Sequence, residues 1–191
     1  MENEEKIIAK CQAGDKEAFS VLYDFYIAKI YNFVFYKVFS KTEAEDLVSQ
    51  VFLKALKNIN KFTTKEGNFS AWLYRIARNT VIDYYRSNHD NYDIEDFWDL
   101  PADDNMFNEL NVKLEFGRVK DLLQKFKPVQ REIIIMRLWD ELSYAEIAKV
   151  LNLSETNCRM IFSRAISDLR GDAAQWLLLL IISKQIICLM K

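Results

Sequence analysis

Arginine and asparagine at helical spacing are the main chemistry this sequence offers. Between Ser70 and Arg86, winding the chain as a helix gathers Arg75, Arg78, Asn79 and Arg86 within an arc of about 100°. Guanidinium forks and carboxamides on one face suit phosphate oxygens and the edges of unstacked bases. A polar loop, Lys61 to Asn68, runs directly before them. A second set lies near the C-terminus, where Thr156, Asn157, Arg159, Ser163 and Arg164 fall on the outer arc of one helix or at its edges. Those donors suit base edges in a major groove. A third set, Glu43, Asp46 and Gln50, sits at i, i+3 and i+7 and makes an acidic, amide-bearing face for a basic partner. Each set taken alone is also what an ordinary solvated helix face looks like.

Catalytic chemistry has little to work with. There is one histidine, His89, and no pairing of nucleophile with base. The three cysteines, Cys11, Cys158 and Cys188, are odd in number and widely spaced, which predicts neither a disulfide framework nor a zinc site. No two of the four glycines lie within a few residues of each other, so a phosphate-cradling loop is not expected. The expectation is a binding protein without enzyme activity, cofactor or metal. The acidic opening Met1-Glu2-Asn3-Glu4-Glu5-Lys6 is not a secretion signal, and with the cysteine usage it predicts a reduced, cytoplasmic protein.

The elements that must position these residues are helices. With 191 residues, half of them apolar, and only 4 Gly and 2 Pro, an all-β fold is nearly excluded and an all-α fold of two small domains is expected. Phe19, Leu22, Tyr23, Tyr26, Ile30, Phe33 and Val34 form one apolar stripe, with Asp15 as its N-cap. Leu47, Val48, Val51, Phe52, Ala55, Leu56 and Ile59 form a second, and Thr42 and Glu45 have capping-box spacing before it. Opposite the arginine face, Leu73, Ile76, Ala77, Thr80, Val81 and Tyr84 face inward. Pro128 suits the first position of a helix running to Trp139. Ser143 and Glu146 form a capping box, Asn152 suits a left-handed turn, and Ser154 caps a helix from Glu155 to Leu169 with Cys158, Ile161, Phe162, Ala165 and Leu169 inward. Helix, tight turn, helix with outward Arg and Asn is a helix-turn-helix.

Net charge is −2, but it is partitioned: residues 1–88 carry +2, residues 89–112 carry −8, residues 113–170 carry +3 and the last 21 carry +1. The acidic strip 89–112 lacks helical periodicity and reads as a linker between domains, either a solvated spacer or an acidic ligand for a basic channel. The tail, residues 171–191, holds an apolar run from Trp176 to Met190 broken by Lys184 and Gln185, too short to span a bilayer. Packing on this chain or a partner, or weak contact with a membrane surface, are its open readings.

Four stretches together resemble bacterial RNA polymerase sigma factors of the extracytoplasmic-function group, over roughly residues 8–170. They are Ala13-Gly14-Asp15-Lys16-Glu17-Ala18-Phe19; Glu43-Ala44-Glu45-Asp46-Leu47-Val48 with Val51-Phe52; Trp72-Leu73-Tyr74-Arg75-Ile76-Ala77-Arg78-Asn79 with Ile82-Asp83-Tyr84; and Leu142-Ser143-Tyr144-Ala145-Glu146-Ile147-Ala148. The resemblance implies that residues 1–88 are sigma region 2, with Glu43, Asp46, Leu47, Gln50 and Phe52 on core RNA polymerase and Lys61, Asn68, Arg75, Arg78, Asn79 and Arg86 on the −10 element. The loop at 61–69 would hold a flipped base. Residues 113–170 would be region 4, with Thr156, Asn157, Arg159, Ser163 and Arg164 on the −35 element, and the acidic strip would thread the RNA-exit path. Promoter DNA and an anti-sigma factor are the further partners implied. The pattern departs from the family at Ser49-Gln50, where Gln-Glu is usual. It departs again at Thr156-Asn157-Cys158-Arg159-Met160-Ile161, where Gly-Thr-Val-Lys-Ser-Arg is usual, and at Ile166 and Asp168, where basic residues are common. Weaker −35 binding with a flatter salt dependence is the consequence. The rival readings are a stand-alone helix-turn-helix regulator and a sigma-like adaptor or decoy that occupies polymerase.

Overall fold

The computed structural model describes residues 3–38, 40–63, 68–88 and 121–169, and all regular structure among them is helical. The chain divides into two compact units, one of Met1–Tyr92 with Lys149–Leu151, the other of Asp93–Ala148 with Asn152–Lys191. The acidic strip 89–112 and the apolar tail 171–191 lie outside the described residues. Among the described residues no helix is long and apolar enough to cross a membrane.

The first unit is built from α1 (Glu4–Gln12), α2 (Lys16–Val38), α3 (Lys41–Asn58) and α4 (Phe69–Asn88), with a 3-10 turn, Ile59–Lys61, closing α3. Helix α1 precedes the first apolar stripe and buries Ile8 and Cys11. Its Gln12 carboxamide donates to the Ile59 carbonyl (3.0 Å) and the Phe62 carbonyl (2.9 Å). Those acceptors flank Lys61, so α1 pins the segment that carries it. Asp15 caps α2 as expected, its Oδ1 accepting from the backbone of Glu17 (2.9 Å) and Ala18 (3.1 Å). Ser40 rather than Thr42 caps α3, accepting from the Glu43 N–H. α2 ends at Val38 and α3 starts at Lys41, so the first hydroxyl after the turn does the capping.

The core of this unit is Leu22, Ile30, Phe33, Val34, Leu47, Val51, Leu73 and Ala77, with Phe33 edge-on to Tyr74 at 5.1 Å. Tyr23 and Leu56, expected inward, are 40% and 44% exposed because they sit at the margins of their stripes. Helix α4 is buried over a wider arc than its stripe, with Trp72, Tyr74 and Tyr85 joining Leu73, Thr80 and Val81. Phe62, Phe69 and Trp72 pack together, centroids 5.4 to 5.7 Å apart. This aromatic cluster buries both ends of the loop between α3 and α4 and fixes where that loop leaves and re-enters the core.

The second unit contains α5 (Pro128–Leu138), α6 (Tyr144–Leu151) as far as Ala148, and α7 (Glu155–Leu169). Pro128 opens α5 as expected. The buried Arg131 donates to the Phe126 carbonyl (2.6 Å) and the Gln124 carbonyl (3.2 Å), tying the approach to α5. The Ser143–Glu146 capping box forms, with the Ser143 N–H donating to Glu146 Oε2 at 2.7 Å and the Glu146 N–H to Ser143 Oγ at 3.2 Å. Asn152 is left-handed, φ 55° and ψ 46°. Ser154 accepts from the Asn157 N–H at 3.1 Å and so caps α7. Cys158, Ala165 and Ile166 are buried.

Candidate nucleic-acid interface

Helix α3 presents two faces, and the split differs from the sequence expectation. Leu47 and Phe52 are 1% and 5% exposed, inside the unit's own core, so neither offers a side chain to a partner. They lie on the same inward arc as Val48, Val51 and Ala55, which is the physical reason for the correction. Glu43 is half-buried and its carboxylate accepts from the Tyr84 hydroxyl on α4. The outward face therefore rests on Asp46 and Gln50, both exposed. Leu53, 55% exposed, lies at i+7 from Asp46 and i+3 from Gln50, and Leu56 lies beside it. Sequence reasoning placed Leu56 inward and passed over Leu53. An apolar residue next to a charged arc was the available signal.

Between the end of α3 and α4 opens a cleft of about 360 Å3, lined by Lys54, Asn58, Lys61, Trp72, Ile76, Asn79 and Thr80. It brings together Lys61 and Asn79, both predicted from sequence. Lys54, Asn58 and Trp72 were not predicted as site residues. The Lys54 ammonium donates to Thr80 Oγ1 (3.1 Å) and pairs with Asp83 Oδ2 (3.4 Å), crossing from α3 to α4. Asn58 Nδ2 donates to the Lys54 carbonyl at 2.8 Å. Amides and ammonium groups around an open cleft offer hydrogen-bond donors to a base, and the Trp72 indole, 7% exposed, forms part of its wall. Cross-helix pairs leave no periodic trace in a sequence, which is why Lys54 was not legible.

The other predicted residues of this unit separate into groups. Arg75 and Arg78 are half-buried on α4 and each interacts within the chain. Arg86 is exposed, two turns beyond Asn79 or about 10 Å along the axis, outside the cleft. Asn68 has a role in the fold, its Oδ1 accepting from the Ala71 N–H at 3.0 Å to cap α4. Thr64 to Gly67 of the loop lie outside the described residues.

In the second unit Thr156, Arg159, Ser163 and Arg164 are exposed along α7, with Asn157 half-buried beside them. Met160, 46% exposed, adds an apolar contact to the same surface. Arg159 pairs with Glu155 at 2.7 Å, and its guanidinium carbon stands 4.8 Å from the centroid of the Tyr144 ring. Ile166 is a core residue, so its place is set by packing on the inward arc rather than by a lost phosphate contact. Asp168 is exposed. Burial raises the pKa of Cys158, on the inward side of α7, so its thiol stays protonated and takes no part in this surface.

The comparison with known proteins bears on both units. A model of sigma-70 region 2 matches residues 22–90, and a model of sigma-70 region 4 matches residues 116–169. The chain is 33% identical over 170 residues to the ECF (extracytoplasmic-function) RNA polymerase sigma factor SigX of Bacillus subtilis, covering 81% of this chain and 83% of that one. The chain belongs to the ECF group of the sigma-70 family. Another ECF sigma factor of that organism, SigW, is 31% identical over 78% of this chain and 84% of its own length. BldN of Streptomyces coelicolor is 32% identical over 86% of this chain, which spans 63% of BldN's length. In fold the chain is similar to CnrH, solved with the cytosolic domain of CnrY, at a TM-score of 0.70, 24% identity and coverage of 89% and 96%. The region 2 match takes in most of α2 and all of α3 and α4, and therefore the cleft and the Asp46–Leu53 face. The region 4 match takes in α5 to α7 and ends at 169, so the apolar tail falls outside both.

Proposed function

We propose that this chain is an ECF sigma factor that binds core RNA polymerase, directs it to a small promoter set and helps open the DNA, with no catalytic chemistry of its own. One observation carries the reading: both sigma-70 regions match one chain, in the order region 2 then region 4. A stand-alone helix-turn-helix regulator needs only the second.

In this reading the exposed face of α3, Asp46, Gln50 and Leu53, docks on a basic and apolar surface of the polymerase. The α3–α4 cleft receives an unstacked base of the −10 element. Its Lys54, Lys61 and Asn79 supply donors, and Arg75, Arg78 and Arg86 attract the strand. The outward side of α7 reads the −35 duplex through Arg159, Arg164, Thr156, Asn157 and Ser163. The domain bounds are residues 1–88 and 113–170, joined by the acidic strip 89–112 in the basic RNA-exit path. The chain works in the cytoplasm, where polymerase is, and an anti-sigma factor that covers the polymerase-binding face would hold it inactive.

Co-purification with core polymerase, followed by band-shift on promoter DNA with and without core, tests this reading. The expected result is a stoichiometric complex with core, and DNA binding that needs core. Tight duplex binding without core would favour the stand-alone regulator. Core binding without promoter selection would favour the decoy.

A further inference from the structure

The helix-turn-helix holds an arrangement that the residue-by-residue assignment to the −35 element does not explain. Two guanidinium groups stand over the Tyr144 ring, in the first turn of α6. That of Arg137 on α5 is 5.1 Å from its centroid and that of Arg159 on α7 is 4.8 Å. Arg137 is itself fixed, donating from Nη1 to the Leu142 carbonyl at 3.0 Å. Phe162 meets the same ring at 5.9 Å with planes 68° apart. The ring is therefore held by α5 and α7 together, at the start of the first helix of the motif.

Arg159 needs such support. Its side chain is 61% exposed and its pairing with Glu155, 50% exposed, is an i, i+4 contact of the kind that solvent and salt weaken. A lone surface pair does not hold an arginine in one orientation. An aromatic face and a carboxylate together do, because one constrains the plane of the guanidinium and the other its direction within the plane. A guanidinium fixed in this way suits two-point recognition of a guanine edge. Phosphate contact needs only charge nearby.

We propose that Tyr144 is a positioning residue for sequence recognition by region 4: braced by Arg137 and Phe162, it holds Arg159 oriented toward a guanine of the −35 duplex. This rests on the reading of α7 as the DNA-reading helix. It assigns Arg159 to base readout, leaves Arg164 and the hydroxyls of Thr156 and Ser163 to backbone contact, and makes the Tyr144 phenol oxygen dispensable.

The test is selection from a randomised duplex pool by the full chain bound to core polymerase, comparing the wild type with Tyr144→Phe, Tyr144→Leu, Arg159→Ala and the Tyr144→Leu/Arg159→Ala double variant. A thermal melt is taken for each. The wild type should prefer guanine at one upstream position, and Arg159→Ala should lose about tenfold of that preference. Tyr144→Phe should keep it. Tyr144→Leu should lose it at the same position only, and the double variant should be no worse than Arg159→Ala. Arg137→Met, which leaves the tyrosine in place, should weaken the same position partially. Loss in Tyr144→Phe as large as in Tyr144→Leu would mean that the phenol itself touches DNA and would overturn the proposal. So would an additive double variant, an unaffected Arg137→Met, or a loss spread evenly over all sequences. A wild-type complex that selects no sequence at all would instead overturn the DNA-reading assignment, and the inference with it.

Discussion

Glu141 and Asn152 both carry positive φ, 57° and 55°, in the second unit. They mark the turns on either side of α6, and the two residue types meet that geometry differently. Asparagine tolerates the left-handed region through its short amide, whereas a glutamate is strained there. Glu141→Gly is therefore expected to stabilise the protein by about 0.5–1 kcal/mol, and Asn152→Ala to destabilise it by about 1 kcal/mol, read from denaturant midpoints. Asn152 was legible in the sequence because its type announces the conformation; Glu141 was not, because nothing about a glutamate does. Protonation gives a second prediction. Burial raises the pKa of Cys11 and Cys158 above their ordinary 9.0, and it raises those of Tyr31 and Tyr85 above their ordinary 10.0. Each group holds its proton more tightly folded than unfolded, so its contribution is complete below the unfolded pKa and is lost as pH rises through the folded one. Melting temperature should be flat with respect to these groups from neutrality to pH 9 and fall above it. A rise above pH 9 would contradict the burial of these thiols and phenols.

Helices α3 and α4 each divide into a face that holds the fold and a face left for partners, and substitutions should respect the division. Leu47→Ala removes a fully buried side chain and should cost about 2–5 kcal/mol of stability. Asp46→Ala and Leu53→Ser touch exposed positions. They should leave stability within about 0.5 kcal/mol while weakening association with core polymerase about tenfold. Equal effects of Leu47→Ala and Leu53→Ser on the melting temperature would refute the two-faced account of α3. On α4, Arg75→Ala or Arg78→Ala should impair promoter binding or opening about tenfold while core binding persists, measured by band-shift and by co-purification. Apolar spacing made these helices legible, and capping residues fixed the starts of α2, α6 and α7 within a residue. What spacing did not reveal is how far round each helix its neighbours reach. That is why Leu56 and Tyr23 emerged on the surface, why Glu43 was claimed by Tyr84, and why the cross-helix bond from Lys54 to Thr80 had no counterpart in the pattern.

The sequence divides its charge into a basic block, an acidic strip and a second basic block, and the two family matches fall on the basic blocks. That division was readable from counting alone, since segment charge needs no coordinates. The central claim is that the first unit engages polymerase and melted DNA while the second reads duplex upstream. Run-off transcription on a library of genomic fragments, with purified chain and purified core polymerase, tests it most directly. The account predicts transcripts from defined start sites that appear only when both are present. It also predicts that Arg78→Ala lowers them about tenfold without loss of the complex. Transcripts that are the same with and without the chain, or no stable association with core at all, would contradict it.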